Sequence, residues 1–533
     1  MSLHHRRLLC AYLRDYFSQY HAPKPSLRYL SDDEDDEDEP SYRYSDAKDN
    51  DVAHICKYWT FVESKSWSDD ADSIARQLEW TRTALLITAI DISLDGITFT
   101  DLPLSLSTFR GNVKLCAPAV ELNQVSLQRL ANLRCLTILM GCHQRTITDD
   151  SFLHLTNLET LDMSECHQEA ITDNAFRHVT TLRSLKMNHC SQTTITDDAF
   201  RHWTNLRSLD MSGCYQETIT DNAFRHLTNL QTLRMERCCQ TTITDNAFRH
   251  LVKVKSLNIV FCDQETITNN AFRHLTNLQS LEMKHCCQNT FTDDGFQQLT
   301  HLGSLNIRFC NQETITDIAF RHLTNLHSLK MGGYGQTPIT DDAFRHLTNL
   351  QSLNISYCNQ ERITDDAFRH LKGLQSLNIS NCDQENVTDN AFRHLTNLQE
   401  LRMKFCSQTS ITDGAFTHLT KLQFLNMHGC NQETITDNAF RSLTNLTFLD
   451  IGWCRQTTIT DSAFWHLANL LVLTMEGCKQ ETITNSAFRY LTNLHTLDVS
   501  GCRRLTITDC AFRHLTNLQW LRNRFGETIR ASR

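Results

Sequence analysis

The stretch "LQSLNISYCNQERITDDAFRHL", residues 350–371, decides how the chain folds. Leu353 and Ile355 alternate with polar Ser352, Asn354 and Ser356. That period of two marks a short strand with one buried face. Cys358 and a polar bend follow. Ile363, Ala367, Phe368 and Leu371 then fall at the spacing of one helix face. Thr364 is placed to cap that helix, and Asp365 and Asp366 suit its positive end. Arg369 and His370 come later, where positive charge is better placed. The unit reads strand, turn, short helix.

The unit repeats. The position of Ile363 runs from Ile147 to Ile507, sixteen copies in 24-residue steps. One copy cannot bury its apolar face alone, whereas stacked neighbours can. The same period places cysteine at Cys142 and every 24 residues to Cys310, then from Cys358 to Cys502, with Tyr334 the single break. These columns account for most of the 22 cysteines, and no CxxC pair offers a zinc site. The column reads as small buried apolar residues rather than disulfides or metal ligands. Gln recurs at 15 of the 16 equivalent positions, Gln144 to Gln480, before Arg504. It reads as an amide ladder serving turn backbone groups. A residue present in every repeat does not make one convergent catalytic site. The His of "FRHL", as in His178 and His346, reads as an outer-face residue beside Arg.

The net charge is -10, and eight negative charges lie in the run Asp32 to Glu39, leaving -2 elsewhere. That balance argues against a strongly basic nucleic-acid binder. No apolar run reaches a membrane-spanning length. "MSLHHRRLLCAYLRDYF" does not read as a secretory signal. The expectation is an intracellular protein, cytoplasmic or nuclear, with no membrane, nucleic-acid, metal or cofactor partner. It has no nucleophile–base pair or phosphate loop, so it is not read as an enzyme.

The pattern L-x-x-L-x-(I/M)-x-x-C followed by I-T-D-x-A-F-x-x-L resembles the leucine-rich repeat. The cysteine and the "ITD" phrase are similar to the cysteine-containing class found in F-box/leucine-rich-repeat proteins. The unit is shorter than that class usually has, and "AF" stands where "GL" is common. The "AF" is similar to bacterial surface repeats. The resemblance implies an α/β solenoid, with parallel strands on the concave side and short helices on the convex side. The expected array is 125–521, after degenerate capping repeats at 77–124 and an N-terminal region at 1–76, with a tail at 522–533.

Function belongs to the positions that the repeat leaves variable. On the concave face these are triplets such as Ser184/Lys186/Asn188, Thr232/Arg234/Glu236, Ser280/Glu282/Lys284, Glu400/Arg402/Lys404 and Val472/Thr474/Glu476. Just before the cysteine stand Phe261, Phe309, Tyr357, Phe405 and Trp453, each 48 residues apart. Between them lie His285, Gly333, Asn381 and Gly429. Three readings compete: copying of a two-repeat block, packing between repeats, and an exposed row of anchors for a partner protein on the concave edge. The "QE"/"QT" alternation supports copying, yet it slips at Glu361 and Glu385 where the aromatics do not.

Residues 31–51 are acidic and polar and read as disordered. After them, Ile55-Cys56-Lys57-Tyr58-Trp59 resembles the closing phrase of an F-box. Before them, "PKPSLRYL", with Leu27 and Leu30, resembles its opening. The stretch between the two is longer than an F-box has, so the resemblance implies either an F-box split by the acidic run or no F-box. The first case implies a substrate-recognition subunit of a cullin-type ubiquitin ligase, with Leu27, Leu30, Ile55, Cys56 and Trp59 on the ligase adaptor. The second leaves a repeat scaffold or host-interaction protein.

Overall fold

The computed structural model describes residues 147–530 apart from 287–289, 311–312, 334–338, 359–360, 503–506 and 524, together with three earlier strands. All lie in one unit that begins at Cys56. Ala89–Ser93 and Asn112–Cys116 pair in parallel. The acidic run and the F-box-like residues Leu27, Leu30, Ile55, Cys56 and Trp59 lie outside the described residues.

The array is a leucine-rich-repeat solenoid. Its parallel sheet runs from Cys135–Thr137 to Trp520–Arg522, one three-residue strand per repeat. The register repeats with the sequence: Ser352, Leu353 and Asn354 lie against Ser376, Leu377 and Asn378. The ladder is open. Its first strand pairs with Thr160–Asp162, and Trp520–Arg522 ends it against the antiparallel strand Thr528–Arg530. The tail therefore covers the last strand edge, which would otherwise offer unpaired backbone groups. Gly526, at φ 80, lies in the turn of that hairpin. Nothing in the strand pattern announced it.

Leu353, Ile355, Cys358, Ile363, Ala367, Phe368, Leu371 and Leu374 are all buried, and the described repeats bury the same columns up to the last, where Ile507, Phe512, Leu518 and Leu521 are only partly buried. Trp203 takes the place of a leucine and meets Phe176 and Phe200 edge-on at 4.9 and 5.0 Å. The helix is shorter than expected. It is a single turn, Asp365–Phe368 in the quoted repeat, because Arg369 already ends it. A single turn cannot hold itself together in water, so stacking must.

That stacking uses side chains the sequence reading placed elsewhere. Thr364 caps its helix, accepting from Asp366 N at 3.3 Å. Asp365 does not merely balance the helix start. Its carboxylate takes the backbone N–H and the hydroxyl of Thr388, one repeat on, both at 2.7 Å. Asp149–Thr172 through Asp461–Thr484 repeat the arrangement. Asn269 and Asn485 stand where other repeats have Asp, and there the amide nitrogen donates to the threonine hydroxyl. In both cases the threonine concerned, Thr292 or Thr508, has lost its cap bond. The column thus couples each helix cap to the repeat before it.

Other columns do similar work. The "TNL" asparagines donate across repeats, as Asn349 does to Thr324 O at 2.9 Å. The cysteines are buried thiols, but they are also donors: Cys382 Sγ reaches Ile355 O at 3.1 Å. Burial raises the Cys214, Cys262 and Cys454 thiols from 9.0 to about 12. The glutamine ladder forms only in part. Gln192 and Gln264 donate to the backbone carbonyls of Gln168 and Gln240 at 3.2 and 3.0 Å. The Gln432, Gln456 and Gln480 amides have no hydrogen-bond partner among the described residues.

Candidate recognition surface

Each strand carries outward side chains at three alternating positions, followed by the residue before the cysteine. The second position, that of Asn354, splits into two classes. Asn and Asp there bond the backbone N–H two residues on, as Asn354 Oδ1 accepts from Ser356 N at 2.9 Å. Asp162, Asp210, Asn258, Asn306, Asn378, Asn426, Asp450 and Asp498 do the same. This local bond turns the chain out of the strand. Half of the concave column is therefore structural. Lys186, Arg234, Glu282, Lys330, Arg402, Thr474 and Arg522 occupy the other repeats.

The bend delivers the next residue into the left-handed region. Phe261, Phe309, Tyr357, Phe405 and Trp453 have φ between 53 and 59. Glu165, His189, Arg237, His285 and Asn381 share this conformation, as do Gly213, Gly429, Gly477 and Gly501. Bulky residues seldom adopt it. The geometry is enforced by the next repeat: Tyr357 N donates to Ser380 O and Phe405 N to His428 O, at 2.9 and 2.8 Å.

The aromatic alternation has a steric cause. A Cβ at Gly429 would lie 2.3 Å from the Phe405 ring, and one at Gly477 would lie 2.7 Å from the Trp453 ring. Phe405 and Trp453 lean forward over the residue one repeat on, where glycine leaves them room; Asn381, after Tyr357, is the one small residue in this stretch that is not glycine. Stacking occurs at His285, which lies between Phe261 and Phe309 at 4.4 and 4.6 Å, nearly parallel to both. Tyr357 closes this group, 6.4 Å from Phe309 across Gly333.

The expected exposed row is therefore uneven. Phe261, Phe309 and Tyr357 are half-buried, while Phe405 and Trp453 keep 52% and 46% of their surface exposed. Inter-repeat packing and exposure coexist in the same column. Sequence reading missed a second aromatic pair on the sheet itself. Phe424 and Phe448 stack at 4.1 Å where earlier repeats carry serine, and Arg402 lies 5.0 Å over Phe424. Arg402 also pairs with Glu400 at 2.6 Å. The signal was the change from Ser352 and Ser376 to Glu400, Phe424 and Phe448 in one column.

The outer face offers less. His202 and His370 accept from the adjacent Arg201 and Arg369 at 3.1 and 2.9 Å. Burial, then these arginines, hold both imidazoles below the ordinary 6.5. No group of three or more His, Cys, Asp or Glu is placed to hold a metal ion among the described residues. No helix among them is long and apolar enough to cross a membrane.

Comparison with solved structures finds the same fold. TLR13 in the TLR13–ssRNA13 complex matches with 21% identity and TM-score 0.56, over 81% of this chain and 63% of that one. Toll from Drosophila, solved in the glycosylated Toll–Spatzle complex, matches with 18% identity and TM-score 0.59, over 78% and 58%. A leucine-rich-repeat protein of Leptospira interrogans matches with 16% identity and TM-score 0.55, over 86% of this chain and 100% of that one. The chain spans less than two thirds of the two Toll-type chains. No curated protein sequence matches it. The model of the BspA type leucine rich repeat region matches in six copies, over residues 145–279, 241–355, 337–471 and 409–523. The matched class differs from the cysteine-containing one that the "ITD" phrase suggested, and the chain belongs to the BspA-type leucine-rich repeat family.

Proposed function

We propose that the array is a protein-interaction module that binds its partner on the concave strand face and along the left-handed edge. The observation that carries this reading is the exposure of Phe405 and Trp453 on a backbone that the next repeat holds rigid. Rigid aromatic side chains lose little entropy on binding and commonly anchor interfaces. Phe424, Phe448 and the Arg402–Glu400 pair extend the surface onto the sheet. Buried thiols fit a reducing compartment, cytoplasmic or nuclear.

The finer role, substrate recognition for a cullin-type ubiquitin ligase, rests on Leu27, Leu30, Ile55, Cys56 and Trp59 alone. The family match begins at residue 145. A scaffold or host-interaction role needs none of these residues.

Capture experiments with the full chain test both layers. Replacing Phe405 and Trp453 by glycine removes the rings at positions where glycine is not strained. The variant should keep its melting temperature within a few degrees and lose the proteins captured by the wild type. Unchanged capture would refute the edge as the recognition surface. Deletion of residues 1–76 should abolish capture of a cullin adaptor if the ligase role holds. Absence of an adaptor from both samples would refute that role.

A further inference from the structure

Arg308 stands on the concave face, two residues beyond the strand Ser304–Asn306, and is only 7% exposed. Buried charges in folded proteins are normally paired, since an unpaired one bears the cost of leaving water without compensation. This guanidinium has no carboxylate partner among the described residues. It donates from Nη2 to Ser356 Oγ at 3.4 Å, its Nε has no partner, and its Cζ lies 5.0 Å from the Phe309 ring centre.

The contact with Ser356 crosses Gly332, the equivalent residue of the intervening repeat. A Cβ at Gly332 would lie 1.8 Å from Ser356 O, so no side chain can stand there. Gly333 beside it adds no side chain of its own, and the Phe309 and Tyr357 rings meet across it at 6.4 Å. The absence of side chains at the glycine pair lets the guanidinium lie across it, between the Phe309 ring and Ser356. Lys284 Nζ lies 5.5 Å from the same ring. Arg234, Lys284 and Lys330 share this face with Glu236 and Glu282, so the middle of the array is positive on its concave side in a chain of net charge -10.

We propose that Arg308 is the anion-binding centre of the concave face, and that its occupant is an acidic segment of the partner protein. This deepens the reading above and rests on it. A carboxylate of the partner reaching Arg308 would take its Nε–H and an Nη–H as a fork, the charge pairing that no carboxylate supplies among the described residues. Glu236 and Glu282 interrupt the positive stripe, which favours a peptide over the continuous phosphate chain of a nucleic acid.

The test uses the full chain at low salt with fluorescein-labelled octaglutamate, and with labelled octadeoxythymidylate as the nucleic-acid arm. The wild type should bind octaglutamate. Arg308→Met should weaken that binding about tenfold or more, the scale of a lost charge-assisted fork. It should also melt at the same or a higher temperature, because an unpaired buried charge has gone. Arg308→Lys, a charge without the fork, should fall between. The site is overturned if octaglutamate does not bind, if Arg308→Met leaves its affinity unchanged or lowers the melting temperature by several degrees, or if octadeoxythymidylate binds more tightly. If the glycine variants at Phe405 and Trp453 lose partner capture while Arg308→Met leaves octaglutamate binding unmoved, the anion site fails and the recognition surface stands.

Discussion

The outer arc and the concave edge both place one side chain of each kind in every repeat, yet they obey different rules. On the outer arc Asp365 bonds Thr388, and Asp389 bonds Thr412 in the same way. Hydrogen-bond coupling between neighbours demands the same chemistry at each step, so the column stays Asp with two Asn exceptions. At the edge, Phe405 lies over Gly429 and Trp453 over Gly477. Coupling by volume demands only that a large residue be followed by a small or stackable one. The first rule makes a column uniform; the second makes it alternate and leaves the identity of the large residue open. Recognition can evolve at the edge without loosening the stack.

The largest effect that would sharpen this contrast is alkaline. Burial holds Cys214, Cys262 and Cys454 at about 12 against 9.0 when unfolded. Below pH 9 these thiols are protonated in both states and their contribution is fully present. Above it the unfolded chain releases protons that the native chain retains, so stability falls as pH rises through 9 towards 12. Each such thiol should cost about 1.4 kcal/mol per pH unit in that window. Urea melts at pH 8 and 10 check this. A wild-type midpoint that does not move would contradict it, and a triple Cys→Ala variant should move less.

Next comes the outer arc. Asp365→Ala leaves the Thr388 N–H and hydroxyl without their acceptor, and should lower stability by about 2–4 kcal/mol in urea melts. Asp365→Asn should cost only about 1 kcal/mol, the value of a helix cap, since Asn269 and Asn485 already use that arrangement and forgo the cap of the next threonine. Equal losses for Ala and Asn would break the claim that hydrogen bonding sets this column.

Smaller again is Cys382→Ala, which removes a buried sulfur and its bond to Ile355 O. A loss of roughly 1 kcal/mol is expected for so small a core truncation. Native thiol labelling should meanwhile reach few of the column cysteines and exposed Cys239 readily.

Much of this was legible in the 24-residue period. Alternation at Leu353 and Ile355 marked the strand, Thr364 marked the cap, and the Phe368 and Leu371 columns marked the core. What escaped detection depends on distances between repeats. Asp365 looks like a helix-start charge until stacking brings Thr388 within reach. The left-handed bend was encoded too: Gly213, Asn381, Gly429 and Gly477 share one column, and glycine and asparagine are the residues that tolerate φ > 0. Aromatics in that column obscured the signal, because they adopt the conformation only where the neighbouring strand imposes it. Asn354 and Asn378 share a column with the recognition candidates Lys186, Arg234, Glu282 and Arg402, but their short side chains bond two residues ahead and belong to the turn. The closing hairpin at Thr528–Arg530 follows no repeat, and periodicity has nothing to say about it.

The claim that the edge alternates for steric reasons is tested most directly by a double-mutant cycle at Phe405 and Gly429. In the wild-type background, Gly429→Ala meets both the left-handed backbone penalty of about 1–2 kcal/mol and the Phe405 ring. After Phe405→Gly only the backbone penalty remains. Urea melts of the four chains should give a coupling of about 1 kcal/mol or more, the range for residues in contact, with the alanine costing less once the ring is gone. An alanine cost that is the same in both backgrounds would contradict the account.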